Sequence, residues 1–256
     1  TGLDQDADQF SQEFRIASRE RDGFSWVAGF FYFDRDVFTK TILDLGPGFL
    51  GPGLRNTVNA LSNINTESIA VFGTMNYQLS DAVALEVGLR YTDEDKSLGY
   101  EQTATLPIPG FGVVDPFSTD TNDGEWSPTV TLTYKPSDYT SVYGRIARGF
   151  KSGGFNAGPS SDPSTIQFKP EFMTNYEFGY KTRFMGGRAQ FDSAIFYMDY
   201  EDIQQSDQDG AGFFISNAAS ATSFGVETQL SMQVNDNVNI NAGFGYVDAE
   251  FDEFGD

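Results

Sequence analysis

The chain has 256 residues with neither cysteine nor histidine, and 37 acidic against 16 basic side chains give it a formal net charge of -21. Such an acidic chain repels nucleic-acid phosphates, and the lack of histidine removes the commonest general base and metal ligand. We therefore expect no nucleic-acid partner, no cofactor and no catalytic or metal site. No apolar run approaches the roughly 18 residues that a membrane helix needs.

Aromatic residues make up 15% of the chain, with 25 Phe and 12 Tyr, and glycine occurs 27 times. Outer-membrane barrels use aromatic girdles at the membrane interfaces and glycine where strands coil tightly. Soluble β-sandwiches are also rich in both. Composition alone leaves these two classes open.

Two segments alternate clearly between apolar and polar residues. Residues 83–91 carry a large apolar side chain at every odd position, and residues 172–181 carry their aromatics on one face with the same period of two. This period predicts strands.

We predict about ten strands, paired as five hairpins whose short joints are built from Gly, Pro, Asp, Asn or Ser. In chain order the pairs are 9–18 with 24–34, 68–79 with 83–92, 125–135 with 140–150, 171–184 with 188–200, and 218–233 with 238–247.

The connections between hairpins are much longer, at 35–67, 93–124, 151–170 and 201–217. Loops this long are uncommon in compact domains and are usually functional. Because every long loop falls at the same end of the hairpins, the pattern favours a barrel over a sandwich. It predicts an antiparallel up-and-down transmembrane β-barrel with short periplasmic turns and long extracellular loops.

The polar face of the predicted strands holds Ser, Thr, Asn, Gln and Gly, with a few charges such as Glu86, Arg90, Glu177 and Lys181. A water-filled or plugged lumen suits such a face, whereas a dry core does not. The segment 24–33 is apolar on both faces, so we expect its inner face to pack against something inside the barrel.

Several short sequences then become recognisable in order: FSQEFR at 10–15, VGLRYT at 87–92, ARGFKSGGFN at 147–156, FKPE at 168–171, NYEFGYK at 175–181, AIFYMDY at 194–200 and FGVE at 224–227. Together they resemble the barrel of TonB-dependent outer-membrane receptors over nearly the whole chain. That family has a 22-stranded barrel with a plugged lumen.

The resemblance implies that residues 1–256 form part of a larger barrel, without the plug domain. It implies active import of a scarce ligand, such as an iron chelate, a vitamin or an oligosaccharide, through a receptor in the outer membrane. The implied partners are outer-membrane lipid and lipopolysaccharide, the extracellular ligand and a TonB-type energy-coupling protein that engages the missing N-terminal part. Ligand identity does not carry over.

Three cations, Arg145, Arg148 and Lys151, lie toward the long-loop end of their strand. They are candidates for contact with lipopolysaccharide phosphates or an anionic ligand, and snorkelling at the interface is the alternative. Aromatic residues in the long loops are candidates for gripping a ligand, and packing of the loops on one another is the alternative. These are Phe49, Tyr100, Phe111, Phe117 and Phe155.

Two acidic clusters, 93–95 and Asp199 with Glu201 and Asp202, could bind calcium or form a solvated rim. Near the third long loop, Gly149, Gly153 and Gly154 predict a flexible exit from the strand, because no helix follows to make a phosphate-binding loop.

Two further functions remain as alternatives to active import. A passive porin would use the polar face as an aqueous channel, and an enzyme on a complete ten-stranded barrel is disfavoured by the lack of histidine. As part of a larger barrel, the chain would have open edges and an exposed apolar stripe, so we expect it to need detergent on its own.

Overall fold

A computed structural model describes residues 2–46, 55–106, 112–159, 165–209 and 212–254. The strands are β1 (Gly2–Ala17), β2 (Phe24–Leu45), β3 (Asn56–Ser80), β4 (Val83–Ala104), β5 (Val114–Ser137), β6 (Thr140–Lys151), β7 (Gly154–Phe155), β8 (Gln167–Phe168), β9 (Glu171–Phe184), β10 (Ala189–Asp209), β11 (Gly212–Asn235) and β12 (Val238–Phe254). Ten of them form one sheet in the order β1-β2-β3-β4-β5-β6-β9-β10-β11-β12, and every pair is antiparallel. The predicted up-and-down meander is confirmed. The short strands β7 and β8 form a second sheet.

The turns at one end of the sheet are tight, as predicted. In the β1–β2 turn, Asp22 and Gly23 both have positive φ angles, 52° and 74°. Positive φ at both central positions defines a type I′ turn, whose twist matches that of the strands it joins. A Cβ on Gly23 would lie 2.8 Å from the Cβ of Gln78, so the turn also packs closely against β3.

One face of the sheet, here called the outer face, is apolar. Side chains in register across five neighbouring strands form a continuous row on it: Val130, Ile146, Tyr176, Tyr197 and Phe224. All five side chains are exposed to the surroundings of the sheet. Because exposed apolar area is unfavourable in water, a row of this kind fits contact with hydrocarbon.

The opposite face, here called the lumen face, is mixed and polar. The row beside the previous one contains Thr131, Arg145, Glu177, Phe196 and Gly225. Along β5 the side chains alternate between exposed and partly buried from Ser118 to Tyr134. The two faces predicted from the sequence are therefore present and in register.

The apolar rows end on the outer face near Tyr91 and Trp126, whose ring centroids are 4.8 Å apart. The second outward row beyond them, toward the long-loop end, is acidic or polar on all four strands: Asp34, Glu67, Asp95 and Asn122. The strands thus continue past the apolar band.

This continuation corrects the predicted extent of the long loops. Most of 35–67, 93–124 and 201–217 is strand, whereas the described part of 151–170 contains, as strands, only the end of β6 and the short strands β7 and β8. Both faces of these extensions carry many polar side chains, so the apolar–polar alternation that marks a half-buried strand fades there. Backbone pairing nevertheless continues through them, so they remain strands.

In the described part of the chain, no helix is long and apolar enough to cross a membrane. The sheet ends at β1 on one side and β12 on the other, and each of these strands has one neighbour among the described strands.

Candidate functional site

The connection between β6 and β9 folds back over the lumen face. We call its described residues, 152–159 and 165–169, the strap. The strap contains the β7–β8 hairpin, in which Gly154 pairs with Phe168 and Phe155 with Gln167. The backbone amide of Asn156 extends this pairing, because it donates a hydrogen bond to the backbone carbonyl oxygen of Ile166 at 2.6 Å.

A polar cluster attaches the start of the strap to β4 and β5. The Lys96 ammonium donates hydrogen bonds to the Ser152 hydroxyl at 2.7 Å and the Gly153 carbonyl at 2.6 Å. It also pairs with the Glu94 carboxylate at 2.7 Å, and both charged side chains are more than four-fifths buried. The Ser152 hydroxyl donates to Glu94, and the Gly153 amide donates to Asp123 at 2.8 Å.

These contacts act on the pKa values of the two carboxyl groups in opposite directions. Burial alone would raise the pKa of Glu94, but hydrogen bonds from Lys96 and Ser152 outweigh it and hold the value below 4.5. Burial raises the pKa of Asp123, and the Gly153 amide and Lys96 offset this rise only in part. Both groups lie on the strand extensions, beyond the apolar band.

An apolar cluster lies beneath the strap. Phe155 and Ile166 of the strap pack with Ala60, Leu98 and Tyr100 of the wall, and all five are at least nine-tenths buried. Ile64, Val114 and Phe117 surround them. The Tyr100 hydroxyl also donates to the carbonyl oxygen of Gly158 at 3.0 Å.

The strap is joined to β11 as well, through Asn156. Its side-chain oxygen accepts the Ile215 amide at 2.7 Å, and its side-chain nitrogen donates to the Ile215 carbonyl at 2.9 Å and to the Thr165 carbonyl at 2.8 Å. The side-chain amide of Asn156 therefore forms the same pair of hydrogen bonds with β11 that a peptide group of a neighbouring strand would form.

The two ends of the strap are held at a bulge between β10 and β11. Asn217 accepts the Lys169 amide at 2.6 Å and donates to the Lys169 carbonyl at 2.9 Å. Gln204 donates to the carbonyl oxygens of Ser152 at 2.9 Å and Lys169 at 3.0 Å. One amide side chain thus binds both the entry and the exit of the strap.

Two of the three glycines predicted to form a flexible exit from the strand, Gly153 and Gly154, are closely packed instead. A Cβ on Gly153 would lie 2.6 Å from the Phe168 carbonyl oxygen, and one on Gly154 would lie 2.9 Å from the Phe168 ring. These two glycines permit close packing of the hairpin. A Cβ on Gly149 would meet no atom within 4 Å.

The three predicted cations do not share a face. Arg145 and Lys151 project from the lumen face, where Arg145 is in register with Glu177, whereas Arg148 is on the outer face. The Arg148 guanidinium lies 4.9 Å from the centre of the Phe172 ring and 3.8 Å from the Glu201 carboxylate. Of the three cations, Arg148 is therefore the one that projects from the outer face.

Among the predicted loop aromatics, Tyr100 and Phe155 are packed in the cluster beneath the strap, at 3% and 8% exposure. Phe117 contacts Tyr100, with ring centroids 5.7 Å apart. Phe49 and Phe111 lie outside the described residues.

The sequence did not indicate the residues that anchor the strap, namely Lys96, Asp123, Asn156, Gln204 and Asn217. Asn156 is the last residue of the 147–156 motif, but nothing local in the sequence indicates its partners.

The acidic segment 93–95 is divided between the two faces. Asp93 and Asp95 point outward and each accepts a hydrogen bond from Asn122, at 3.2 and 2.9 Å, whereas Glu94 points inward to Lys96. Within the described ranges, no group of three or more acidic side chains is arranged to hold a metal ion.

On the lumen face of β2 and β3, aromatic rings are covered by cations. The Arg90 guanidinium lies 5.4 Å from the centre of the Phe31 ring and 5.5 Å from that of Phe72. The inner face of segment 24–33 thus has a partner on the barrel wall itself.

A continuous antiparallel meander with an apolar outer face, a polar lumen face and an inward-folded loop defines a wall segment of a large outer-membrane-type β-barrel. Residues 2–256 match the model of the TonB-dependent receptor-like β-barrel, and the chain belongs to this family.

Curated relatives include the pesticin receptor of Yersinia enterocolitica, which is 27% identical over 165 residues, covering 64% of this chain and 23% of the relative. The probable TonB-dependent siderophore receptor PiuA of Acinetobacter baumannii is 23% identical over 194 residues, covering 74% of this chain and 25% of the relative. This chain therefore spans about a quarter of the length of these relatives.

Among solved structures, the ferric yersiniabactin uptake receptor FyuA of Yersinia pestis superposes with a TM-score of 0.84 at 21% identity, covering 98% of this chain and 37% of that chain. The likeness confirms the fold.

Proposed function

We propose that this chain is part of the wall and extracellular mouth of an outer-membrane active transporter that imports a chelated metal ion, most simply ferric iron. The observation that carries the proposal is the family match over residues 2–256. The relatives are described as a pesticin receptor and a siderophore receptor, and a structural neighbour as a ferric yersiniabactin uptake receptor. The last two of these names support a metal chelate as cargo.

The open edges of the sheet support a larger assembly. β1 and β12 each have one neighbour among the described strands, and a strand with an open edge is not tolerated in lipid. We therefore propose that the rest of the protein supplies further strands that close the barrel, together with a plug and the segment that engages a TonB-type coupling protein. In this arrangement the chain binds and guides a ligand and performs no bond chemistry.

Arg148 is proposed as a contact for lipopolysaccharide phosphate. It lies on the outer face beyond the apolar row, with its guanidinium over Phe172 and a long, exposed contact to Glu201. Guanidinium groups form bidentate hydrogen bonds with phosphate. Arg145 and Lys151, on the lumen face, are proposed instead for an anionic ligand.

The transport proposal is tested with the full-length receptor in iron-starved cells. Uptake of radioactive ferric iron, supplied in the cells' own spent medium, is compared between wild-type cells and cells lacking the receptor, with and without a proton uncoupler. We expect uptake that requires both the receptor and the proton gradient. Receptor-dependent uptake that persists in the uncoupler would instead identify a passive porin.

A further inference from the structure

We propose that the strap is a fixed crossbar of the extracellular mouth, attached to two separate parts of the wall. Both attachments persist while the receptor works, so the strap does not open and close as a lid would. The idea that a ligand moves past it rests on the proposed function, but the attachment itself does not.

The first attachment is to β4 and β5. Lys96, Glu94 and Asp123 occupy the donors and acceptors of Ser152 and Gly153, so this end is held by a charged cluster with little access to water. Separating the strap from this cluster would leave the Glu94–Lys96 pair without its hydroxyl and carbonyl partners. Unpaired buried polar groups of this kind are unfavourable.

The second attachment is to β10 and β11, on the far side of β6 and β9. Asn156 pairs with both backbone groups of Ile215, and Asn217 pairs with both backbone groups of Lys169. A lid hinged at its ends needs one free side. The strap instead has fixed partners on strands that precede it and on strands that follow it.

The apolar cluster makes opening still less favourable. Leu98 and Ala60 have no exposed surface, and Ile166 of the strap has 2%. Lifting the strap would expose all three to water together with Phe155 and Tyr100. Because the hydrogen bonds and the apolar contacts must break together, the strap should open only when the local wall unfolds.

A reporter cysteine beneath the strap tests this proposal. Ala60→Cys introduces a thiol at a position with no exposed surface, in a chain without cysteine. The full-length receptor, otherwise free of cysteine, is expressed in iron-starved cells and treated with a membrane-impermeant maleimide. Ser97→Cys, on an exposed position of the neighbouring strand, is the matched accessible control.

A fixed crossbar predicts that Ala60→Cys reacts at least about 100-fold more slowly than Ser97→Cys, in energised and in uncoupled cells alike. Adding Asn156→Ala should speed its reaction. Adding Asn122→Ala, which removes an asparagine with two hydrogen bonds on the outer face, should not. Rapid labelling in energised cells alone would mean that the strap is a lid, and rapid labelling in both states would mean that it is not attached; either result overturns the proposal.

If Ala60→Cys does not insert, as judged by heat-modifiable migration, hydrogen exchange of the unsubstituted receptor decides the question. Slow exchange of the Gly153 and Ile215 amides supports the crossbar, and exchange at the rate of a free loop overturns it. Neither measurement depends on transport. A receptor that fails to take up iron but keeps a protected strap would therefore contradict the proposed function and leave this inference standing.

Discussion

Gly225 of β11 lies directly beneath the ring of Phe196 of β10, on the lumen face of the sheet. The two residues are in register, and a Cβ on Gly225 would lie 2.2 Å from the Cζ atom of Phe196. The same arrangement occurs between Gly179 and Tyr143 and between Gly29 and Phe72. In each case the glycine lets a large ring lie flat across the neighbouring strand.

We expect Gly225→Ala to lower the stability of the full-length receptor by roughly 1–3 kcal/mol, because the added methyl group forces the Phe196 ring from its place. Gly245→Ala is the matched control, since a Cβ there meets no atom within 4 Å. Urea unfolding in detergent, followed by tryptophan fluorescence, measures the difference. Equal midpoints for the two variants would show that the ring moves away freely.

The lowered pKa of Glu94 predicts how attachment of the strap depends on pH. A carboxyl group with a lowered pKa in the folded state contributes stability above its unfolded pKa, near 4.5, and this contribution is lost as the pH falls through the folded value. The contribution of Glu94 to the attachment should thus be complete from neutral pH to about pH 5 and decrease below 4.5. It is measured as protection of the Gly153 amide, corrected for the intrinsic exchange rate, and the titration of Asp123, which accepts this amide, is common to wild type and the variant compared below.

The variant Glu94→Gln should remove most of this acid-dependent loss and weaken the protection at neutral pH. Glu67→Gln, an exposed outer-face residue on the adjacent strand, is the control and should behave as wild type. An unchanged acid profile in Glu94→Gln would mean that another group controls the attachment.

Arg148→Ala should reduce the lipopolysaccharide that copurifies with the receptor by about fivefold, which corresponds to the roughly 1 kcal/mol expected of an exposed charge pair. Arg145→Ala removes the same charge from the lumen face and should have no effect. Quantifying bound lipopolysaccharide phosphate after mild detergent extraction checks both. Equal losses from the two variants would argue for a general charge effect.

Residues 1–256 expressed alone should aggregate in buffer and dissolve only in detergent. The outer face exposes large apolar side chains on every long strand of the sheet, and β1 and β12 each have one neighbouring strand in the described part of the chain. Ultracentrifugation and size-exclusion chromatography with and without detergent test this. A soluble, cooperatively folding monomer would contradict the assignment of the outer face to lipid.

The sequence by itself determined the sheet: its strand number, its antiparallel order, its tight turns and which side chains share a face. Segments such as 83–91 show this because alternation and turn chemistry are local properties, readable within a few residues. The strand extensions were missed, since neither face of Asp93–Ala104 is consistently apolar and the alternation fades there.

Only the tertiary structure revealed the strap. Lys96 and Ser152 are 56 residues apart, and Asn156 and Ile215 are 59 apart, so no local pattern announces either contact. The strap contacts both β4 and β11, which are separated by four strands in the sheet order, through ordinary polar residues. The periodicity of a strand is local, but the partners of a loop depend on the arrangement of strands that are distant in the sequence.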